Sequence, residues 1–554
     1  MKLNRRQTLV GMGTALILPT GCATQSPAKR GYANEVFAHG VASGDPDTDS
    51  VVLWTRVSGA TAATEVTWRV ALDPDMDQVV ATGSFRTGEE RDYTVKVVPR
   101  GLAAGRRHYY QFEALGTASP VGRTMTLPSG RLDQLVIGVA SCSNFPFGYF
   151  NGYEAIADDT EIDLVVHLGD YIYEYDENSY GAEPGRRLGR VHEPRHEIVA
   201  LSDYRTRHAQ YKAEPGSLAM HAMHPLIHTW DDHESTNNPW VGGAQNHQPD
   251  EGTWNERRAR SLQAYYEWMP ARDPLPGQAP EERWAHYKFG DLASLFTLES
   301  RHTARSEQID LNANREKLTD AAAAAEFFAD VVGAEDRRML SQRQEDFLAA
   351  ELAESVSAGR PWRILANQTI LAKVVAPDID ETDMNALLAA PPAESSNLVD
   401  GLKTIGKLDV PSNMDAWDGY PAARERLYGI ARDAGARDLL AITGDTHVFW
   451  QNQLMTEAGE TMGVELGTTG ITSPRGFYQL GDAAMNRYDE LVARRNDSVV
   501  WADGRFRGYI RLTLNRDRAR ADYISVSTIE STDYAVTTLR SATIRHRDGS
   551  LAYS

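Results

Sequence analysis

The sequence predicts an α/β protein that begins with an all-β region. Between residues 37 and 127, short β-branched and aromatic runs are separated by Gly, Asp and Pro, as in a series of short strands. From residue 135 onwards, strand-like and helix-like runs alternate. Four apolar runs in this second part end abruptly in residues that can bind a metal, and apolar runs of this length are typical of buried strands.

The length and charge of the chain limit the possible interpretations. At 554 residues the chain is too long for one compact core, so we expect two domains or one large domain with an appendage. The formal net charge of −20 argues against nucleic acid or an anionic membrane face as an electrostatic partner. It favours a soluble protein with a site that gathers cations, although an ordinary solvated acidic surface would give the same charge.

The first residues resemble an export signal. Arg5 and Arg6 form a twin arginine, and the apolar stretch that follows, residues 10–18, is too short to span a bilayer. The pattern resembles a signal for the twin-arginine export machinery, which transports folded proteins. We therefore assign residues 1–30 to a signal peptide and linker, and we expect an exported protein that is periplasmic or secreted.

The two cysteines bear on anchoring and on metal binding. Residues 18–22 resemble a lipoprotein box that ends at Cys22, with Pro19 where an aliphatic residue is usual. Lipidation of Cys22 would tether the protein to a membrane, and no later segment is a transmembrane run. Cys142 would then have no disulfide partner. A lone thiol in an oxidising compartment is protected when it is buried or bound to a metal.

Residues 31–128 are predicted to form a β-sandwich. Strand-like runs lie at 51–55, 66–70, 93–97 and 109–112. Their spacing is typical of a sandwich, and residues 102–110 resemble the tyrosine corner of a fibronectin-type module. A short linker at 127–130 leads into the second predicted domain, residues 129–554.

The second domain places candidate metal ligands directly after apolar strands. After the four runs come Cys142; Asp170 and Tyr173; Asp231, Asp232 and His233; and Asp445 and His447. A further predicted strand, residues 361–366, ends at Asn367. Because an α/β protein has its active site at the carboxyl ends of its strands, we expect these side chains to lie together. Each residue alone has an ordinary structural explanation, such as a buried thiol or a helix cap, but packing does not require ligands at four strand ends.

These residue types favour a site for two different cations. Asp170 can offer one oxygen to each of two cations, and two cations about 3.5–4 Å apart can activate water and stabilise both oxygens of an in-line displacement at phosphorus. The thiolate of Cys142 and the phenolate of Tyr173 suit iron. The oxygen-rich remainder, which suits Ca²⁺ or Mg²⁺, comprises Asp232, Asn367 and Asp445. His233 can protonate a leaving alkoxide or stabilise the phosphoryl oxygens.

Three segments resemble the motifs of metallophosphoesterases. Residues 169–173 are similar to Gly-Asp-x-x-Tyr, residues 231–234 to Gly-Asn-His-Glu/Asp, and residues 444–447 to Gly-His-x-His. Cys in place of the first Asp, Asp in place of Asn, and Asp in place of the first His resemble the PhoD-like (alkaline phosphatase D) branch. Segments 39–46 and 467–474 are similar to that branch as well, so the resemblance covers nearly the whole mature chain.

The resemblance implies a fold, an activity and a set of ligands. The fold is a calcineurin-like double β-sheet core flanked by helices, preceded by a fibronectin/Ig-like β-sandwich. The activity is that of an exported metal-dependent phosphoric ester hydrolase that acts on phosphate monoesters and/or diesters with Fe³⁺ and Ca²⁺. The residues carried over to iron are Cys142, Asp170, Tyr173 and His447, and those carried over to calcium are Asp170, Asp232, Asn367 and Asp445, with Asp231 as the alternate to Asp232. His233 is predicted to be the catalytic side chain.

Two other functions fit the same residues. One is a phosphodiesterase or phospholipase D that acts on wall polymers or lipids, with the same metals and a different pocket. The other is an exported metal-binding or adhesion protein in which the site residues are structural. The sequence does not specify whether the substrate is a small molecule or a polymer.

Two segments outside the motifs have distinctive patterns. Residues 186–212 form a basic patch, which is either an approach surface for phosphate or a solvated helix face with intrahelical ion pairs. Residues 303–357 are predicted to be helical, with an apolar stripe that faces the core. The residues of the stripe are Leu340, Phe347, Leu348 and Leu352.

Overall fold

The structure is a computed structural model that describes residues 31–387, 396–411 and 413–554. The expected twin-arginine signal and Cys22 lie outside the described residues. Within those residues, every helix is too short or too polar to span a lipid bilayer.

Strands and helices are numbered in chain order. The strands are β1 (Val41–Gly44), β2 (Val52–Arg56), β3 (Thr64–Ala71), β4 (Val79–Thr87), β5 (Thr94–Val97), β6 (Arg107–Ala114), β7 (Thr117–Ala118), β8 (Gly122–Met125), β9 (Gln134–Ala140), β10 (Leu164–His167), β11 (Leu226–His228), β12 (Pro239–Trp240), β13 (Gly243–Ala244), β14 (Ala285–Phe289), β15 (Ala293–Thr297), β16 (Trp362–Ala366), β17 (Leu439–Thr443), β18 (Phe449–Met455), β19 (Thr461–Gly467), β20 (Val499–Asp503), β21 (Arg507–Asn515), β22 (Ala519–Val526), β23 (Val536–Arg547) and β24 (Ser550–Tyr553). The helices are α1 (Asn151–Asp158), α2 (Ala182–Leu188), α3 (Leu201–Lys212), α4 (Pro215–Met223), α5 (Trp254–Trp268), α6 (Ala321–Phe327), α7 (Gln342–Ser357), α8 (Glu381–Leu387), α9 (Ser396–Lys407), α10 (Pro421–Asp433) and α11 (Asp482–Arg495).

The N-terminal region is all-β, as predicted, and its strands lie in two facing sheets. One sheet has the order β4-β3-β6-β7, with β8 paired to β6. The facing sheet contains β1, β2 and β5, and it is continuous with the core, because β1 pairs in parallel with β11 at Gly44 and Leu226. Buried apolar residues from both sheets meet between them, among them Leu53, Val66 and Phe112. The sequence did not predict that the sandwich would share a sheet with the core.

Asp45, which follows β1, joins the N-terminal region to the core through its carboxylate. Oδ1 accepts a hydrogen bond from the Tyr287 hydroxyl at 2.7 Å, and Oδ2 accepts one from the backbone N–H of Arg272 at 2.7 Å. Arg283 donates to both oxygens. This position therefore has a structural role within segment 39–46.

The core consists of two sheets that pack face to face. The first has the order β24-β23-β22-β21-β9-β10-β11-β1-β2-β5, and the second has the order β14-β15-β16-β17-β19-β18-β20. Their facing surfaces are continuous apolar runs that bury Ile137, Val166 and Ile227 from one sheet and Ile364 and Ile442 from the other. Such double-sided burial explains why these strands contain almost no polar residue before their ends.

Helices cover the outer face of each core sheet, which completes the predicted double-sheet architecture. α1, α3 and α5 pack on the first sheet, and α7, α10 and α11 pack on the second. Polar side chains determine where several of these helices begin. Thr253 Oγ1 accepts from the N–H of Glu256 at the start of α5, and Ser341 Oγ accepts from the N–H of Gln344 at the start of α7.

The prediction of a helix across residues 303–357 is correct for α6, the helical turn at 328–332 and α7, and wrong for residues 303–320 and 333–341. Asp310 accepts hydrogen bonds from the backbone N–H groups of Asn312 and Ala313, and Asn314 donates to the carbonyl of Asp310. Such local side-chain bonds compete with helix formation. The predicted apolar stripe does pack into the core, because Leu340, Leu348 and Leu352 are buried there and Phe347 packs against them.

Candidate metal centre

Three candidate ligands meet at the carboxyl ends of β9, β10 and β17. One ligand atom from each of Cys142, Asp170 and His447 lies within 4.8 Å of the others. The hydroxyl of Tyr173 joins this group, at 3.0 Å from Asp170 Oδ2 and 3.3 Å from His447 Nε2. The structure therefore brings together the four residues predicted to bind iron.

Segment 467–474 orients two of these ligands. His447 Nδ1 lies 2.7 Å from the carbonyl oxygen of Pro474, so the Nδ1–H donates there and Nε2 is directed towards Asp170 and Tyr173. Ser473 Oγ donates to the Tyr173 hydroxyl at 2.7 Å. Burial lowers the pKa of His447 to about 3, which keeps the ring in the neutral form that binds metals.

A second group of ligand atoms lies beside the first. One carboxylate oxygen from each of Asp231, Asp232 and Asp445 lies within 4.8 Å of the others. Among the described residues, Asp231 Oδ2 and Asp232 Oδ1 are buried and have no hydrogen-bond partner. Asp170 and Asp232 also lie within 4.8 Å of each other in a group with His233, so Asp170 connects the two halves of the site.

The electrostatics of these groups fit a site for cations. Burial raises the pKa of Cys142 well above its usual value, and the Asp170 carboxylate raises it further. The pKa of Asp170 is also raised well above its usual value, mainly by burial and secondly by the charge of Asp232. Burial raises the pKa of Asp445 to about 7, with Asp415 adding to the shift. Bound cations would reverse these penalties, because they favour the ionised form of each ligand.

The backbone at these positions is strained. Cys142, Asp170, Asp445 and His447 all have left-handed backbones, with φ angles of 61°, 56°, 60° and 58°. Residues other than glycine seldom adopt this conformation, and such outliers cluster at functional sites. Four candidate ligands on three separate loops share the conformation, which indicates that the loops are shaped to direct side chains at the site.

His233 lies between the carboxylates of Glu174 and Asp232. Its Nδ1 is 2.7 Å from Glu174 Oε2, and its Nε2 is 3.7 Å from Asp232 Oδ2. Its ring stacks on Tyr173 with the ring centroids 4.2 Å apart. Burial alone would lower the pKa of His233, but the charges of Asp232, Glu174 and Asp170 outweigh it and raise the pKa well above its usual value. These charges favour the protonated form of the ring beside the candidate ligands.

Asn367 lies at the carboxyl end of β16, on the same side of the core as the other candidates. Its backbone N–H donates to the carbonyl of Ile442 in β17. Its Oδ1 accepts from Trp417 Nε1 at 3.3 Å, and its Nδ2 donates to the carbonyl of Thr369. Its assignment as a calcium ligand stays a prediction.

The sequence analysis missed four charged residues that support the site. Arg301 Nε donates to Asp231 Oδ1 at 2.6 Å, and Arg301 Nη1 donates to both oxygens of Asp415. Glu234 accepts hydrogen bonds from the backbone N–H groups of Asp170 and Asp231. The fourth is Glu174, the partner of His233. Arg301 follows β15, so the strand-end rule that found the ligands would also have found it.

The basic patch at 186–212 is not a free cationic surface. Arg207 and Lys212 are fully buried, and Arg207 donates to backbone carbonyls of neighbouring loops. Arg205 pairs with Glu267 at 2.7 Å, and Arg195 pairs with Glu177 at 2.9 Å. The contacts of Arg205 and Arg207 bind α3 to its neighbours. In α2, Arg186 and Arg187 are exposed, and Arg187 forms an intrahelical ion pair with Glu183 at 3.4 Å. Neither interpretation therefore describes the whole patch.

Comparison with known proteins connects this geometry to a family. Residues 137–523 match the family model described as PhoD-like phosphatase, and residues 21–128 match the one described as PhoD-like phosphatase, N-terminal domain. The chain is 32% identical over 547 residues to alkaline phosphatase D of Bacillus subtilis (strain 168), which covers 94% of this chain and 84% of that protein.

Two solved structures resemble most of the chain. A structure of PhoD superposes with a TM-score of 0.76 at 30% identity, covering 94% of this chain and 92% of that one. Purple acid phosphatase PPD1 from yellow lupin (Lupinus luteus) seeds superposes with a TM-score of 0.51 at 14% identity, covering 91% of this chain and 74% of that one. The second likeness concerns the fold alone, and it agrees with the predicted calcineurin-like core.

Proposed function

Because the chain belongs to the PhoD-like phosphatase family, and so is a phosphoric ester hydrolase, we propose that it is an exported enzyme that uses Fe³⁺ and Ca²⁺ to hydrolyse phosphate monoesters or diesters. The observation that carries the proposal is the position of Asp170 between two groups of ligands of different chemistry. The family membership leaves no support for the alternative of a non-enzymatic binding or adhesion protein.

The donor atoms suit the two ions differently. Cys142, Tyr173 and His447 would hold iron, because thiolate, phenolate and imidazole favour a borderline or trivalent ion. Asp232 and Asp445 would hold calcium, with Asp231 as the alternate, because hard oxygens favour Ca²⁺. Asp170 would bind both ions. Asn367 is proposed as a further oxygen ligand of calcium.

The side chains around the ions would carry the proton chemistry. When bound, the two cations would supply Lewis acidity and lower the pKa of a water molecule, which is the usual role of paired metals at phosphorus. His233, held by Glu174, would donate its proton to the leaving alkoxide or to a phosphoryl oxygen. Arg301 would offset the charge of Asp231 and so reduce repulsion among the carboxylates.

The export route and the domain limits belong to the same proposal. The twin arginine at Arg5 and Arg6 supports export through the twin-arginine machinery, and Cys22 offers a possible lipid anchor. The gap between β8 and β9 supports a division at residues 128 and 129.

The proposal is tested with protein purified under mild conditions. Elemental analysis should find iron and calcium, and the same sample should hydrolyse at least one of 4-nitrophenyl phosphate and bis(4-nitrophenyl) phosphate. The ratio of the two rates distinguishes a monoesterase from a diesterase. A sample with neither iron nor calcium and full activity would contradict the metal assignment.

A further inference from the structure

A cavity of about 480 Å³ opens directly beside the candidate metal centre. Asp445 and His447 form part of its wall, and both are partly exposed there, unlike the buried Cys142 and Asp170. The cavity is therefore the space into which the organic part of a phosphate ester would extend when its phosphoryl group lies at the metals. Its volume is in the range typical of small-molecule sites, about 300–1,000 Å³.

Several apolar side chains line the cavity together with the candidate ligands. Leu402 and Ile405 of α9 lie three residues apart, on one face of the helix, and both are half-buried at the cavity. Ile370 and Val374, from the loop after β16, and Phe477 also line the cavity. Side chains of this kind cannot hydrogen-bond to a polar ligand, so they favour an apolar occupant.

Phe477 is held in a strained position at this wall. Its φ angle is 56°, a left-handed conformation that is a genuine outlier for a bulky residue. The ring packs edge-on against Tyr488 with centroids 4.9 Å apart. The Arg475 guanidinium lies 4.5 Å from the centroid of the Phe477 ring. Strain of this kind persists where the surroundings impose it, and it is found at ligand sites.

The charges around the cavity argue against a second anionic group. Among the described residues that line it, Arg475 is the one cation, and its guanidinium forms an ion pair with Asp489. Asp418, which also lines the cavity, forms an ion pair with Arg424. The cavity thus offers no unpaired cation to a further phosphate, and its acids would repel one.

We propose that this cavity is the subsite for the alcohol part of the phosphate ester and that it takes an apolar group, an aryl ring or an alkyl chain. The inference rests on the proposed function and names its substrate class. A cavity of about 150 Å³ is enough to bind benzene, so 480 Å³ has room for a ring or a medium-length chain. The apolar esters concerned include soluble aryl and alkyl phosphates and phospholipids.

The test uses n-alkylphosphonates, from methyl to octyl, as competitive inhibitors of whichever ester the enzyme hydrolyses. Each added methylene should lower the inhibition constant about 4-fold over the first several members, which corresponds to ~0.8 kcal/mol per buried methylene. An inhibition constant that does not change with chain length would overturn the proposal. Adenosine 5′-monophosphate that binds more tightly than octylphosphonate would overturn it in favour of a nucleoside.

Variants of the lining residues show whether the dependence on chain length comes from contacts inside the cavity. Ile405→Asn and Phe477→Ala should flatten the dependence on chain length and leave inhibition by methylphosphonate nearly unchanged. Val80→Asn, at an exposed apolar position on β4 of the N-terminal region, is the matched control and should keep the wild-type dependence. If both wall variants keep the wild-type dependence, the assignment of this wall is wrong. The wild-type series remains decisive if a variant fails to fold.

Two further measurements identify the source of the apolar group and show whether the proposed function or only the subsite fails. Turnover of phosphatidylcholine vesicles compared with octyl and phenyl phosphates shows whether the apolar group is a lipid or a small soluble ester. If no ester is hydrolysed, the proposed function fails, and calorimetric titration with the same phosphonates still tests the subsite. If esters are hydrolysed and binding is independent of chain length, the subsite alone is refuted.

Discussion

His233 Nδ1 lies 2.7 Å from Glu174 Oε2, and this contact determines how the ring faces the metal centre. Glu174 is fully buried and also accepts hydrogen bonds from the N–H of Asn237 at 2.8 Å and from Asn246 Nδ2 at 3.0 Å. A carboxylate held by several donors has one orientation. It therefore keeps the proton on Nδ1 and directs Nε2 towards Asp232.

The first prediction concerns this pair. His233→Ala should lower kcat by about 10²–10⁴-fold, because it removes a positioned proton donor. Glu174→Gln should have a smaller effect, about 10–100-fold, since it disturbs only the orientation of the ring. Steady-state kinetics measures both losses, and elemental analysis should show unchanged iron in both variants. Wild-type kcat in His233→Ala would remove the residue from the catalytic assignment.

The second prediction concerns colour. A phenolate or thiolate bound to ferric iron gives a visible charge-transfer band, so the purified protein should be coloured. Tyr173→Phe keeps the ring and removes the oxygen, and it should bleach or shift the band and reduce turnover. Tyr171→Phe is the matched control, because its equally buried hydroxyl bonds to Ser217 and His221 instead. If the two variants have the same spectrum as the wild type, the iron assignment of Tyr173 is wrong.

The third prediction concerns calcium. Treatment with a calcium chelator should abolish hydrolysis, and added Ca²⁺ should restore it, because the carboxylates of Asp231, Asp232 and Asp445 repel one another without a cation. The activity of chelated and reconstituted samples is compared at constant iron content. Full activity in a sample shown to lack calcium would contradict the prediction.

The fourth prediction concerns export. Replacement of Arg5 and Arg6 together by Lys should leave the precursor in the cytoplasm, because the export machinery recognises the twin arginine. Cell fractionation measures the distribution, and mass spectrometry of the mature N-terminus shows whether Cys22 carries lipid. Normal export of the double variant would indicate the general secretory route.

The fifth prediction concerns stability in acid. His208 is buried between Trp268 and Tyr171, and neither of its ring nitrogens has a partner among the described residues. Burial lowers its pKa from 6.5 to about 3, and the charge of Lys212 contributes to the shift. Between pH 3 and pH 6.5, this histidine is protonated in the unfolded chain and neutral in the folded protein, so the unfolded chain binds one more proton. The folded state therefore loses stability as the pH falls below 6.5, by about 1.4 kcal/mol per pH unit.

His208→Leu removes this group at similar volume. Between pH 7 and pH 5 the variant should lose about 2 kcal/mol less unfolding free energy than the wild type. Denaturant unfolding at the two pH values measures the difference. His196→Leu, at an exposed position, is the control and should follow the wild type. An identical pH dependence in His208→Leu and the wild type would refute the prediction.

Local pattern was enough to identify the candidate ligands that the structure brings together. Cys142, Asp170 and His447 each follow a run of apolar residues, and a strand buried on both faces has no room for such groups until it ends. The strand pattern also predicted the all-β N-terminal region and an α/β second domain, whereas the double-sheet core was implied by the resemblance to metallophosphoesterases. Local pattern failed for residues 303–320, where short polar side chains bond to their own backbone.

Contacts between distant segments were visible only in the folded protein. The residues that follow each strand and the ions that suit their atoms could be read from the sequence, since both depend on side-chain chemistry and strand period. The sequence did not determine that Arg301 would reach Asp231, that β1 would extend the core sheet, or that α9 and Phe477 would enclose an apolar cavity beside His447. Those outcomes depend on how whole elements pack, because burial of apolar surface brings together residues that no local spacing relates.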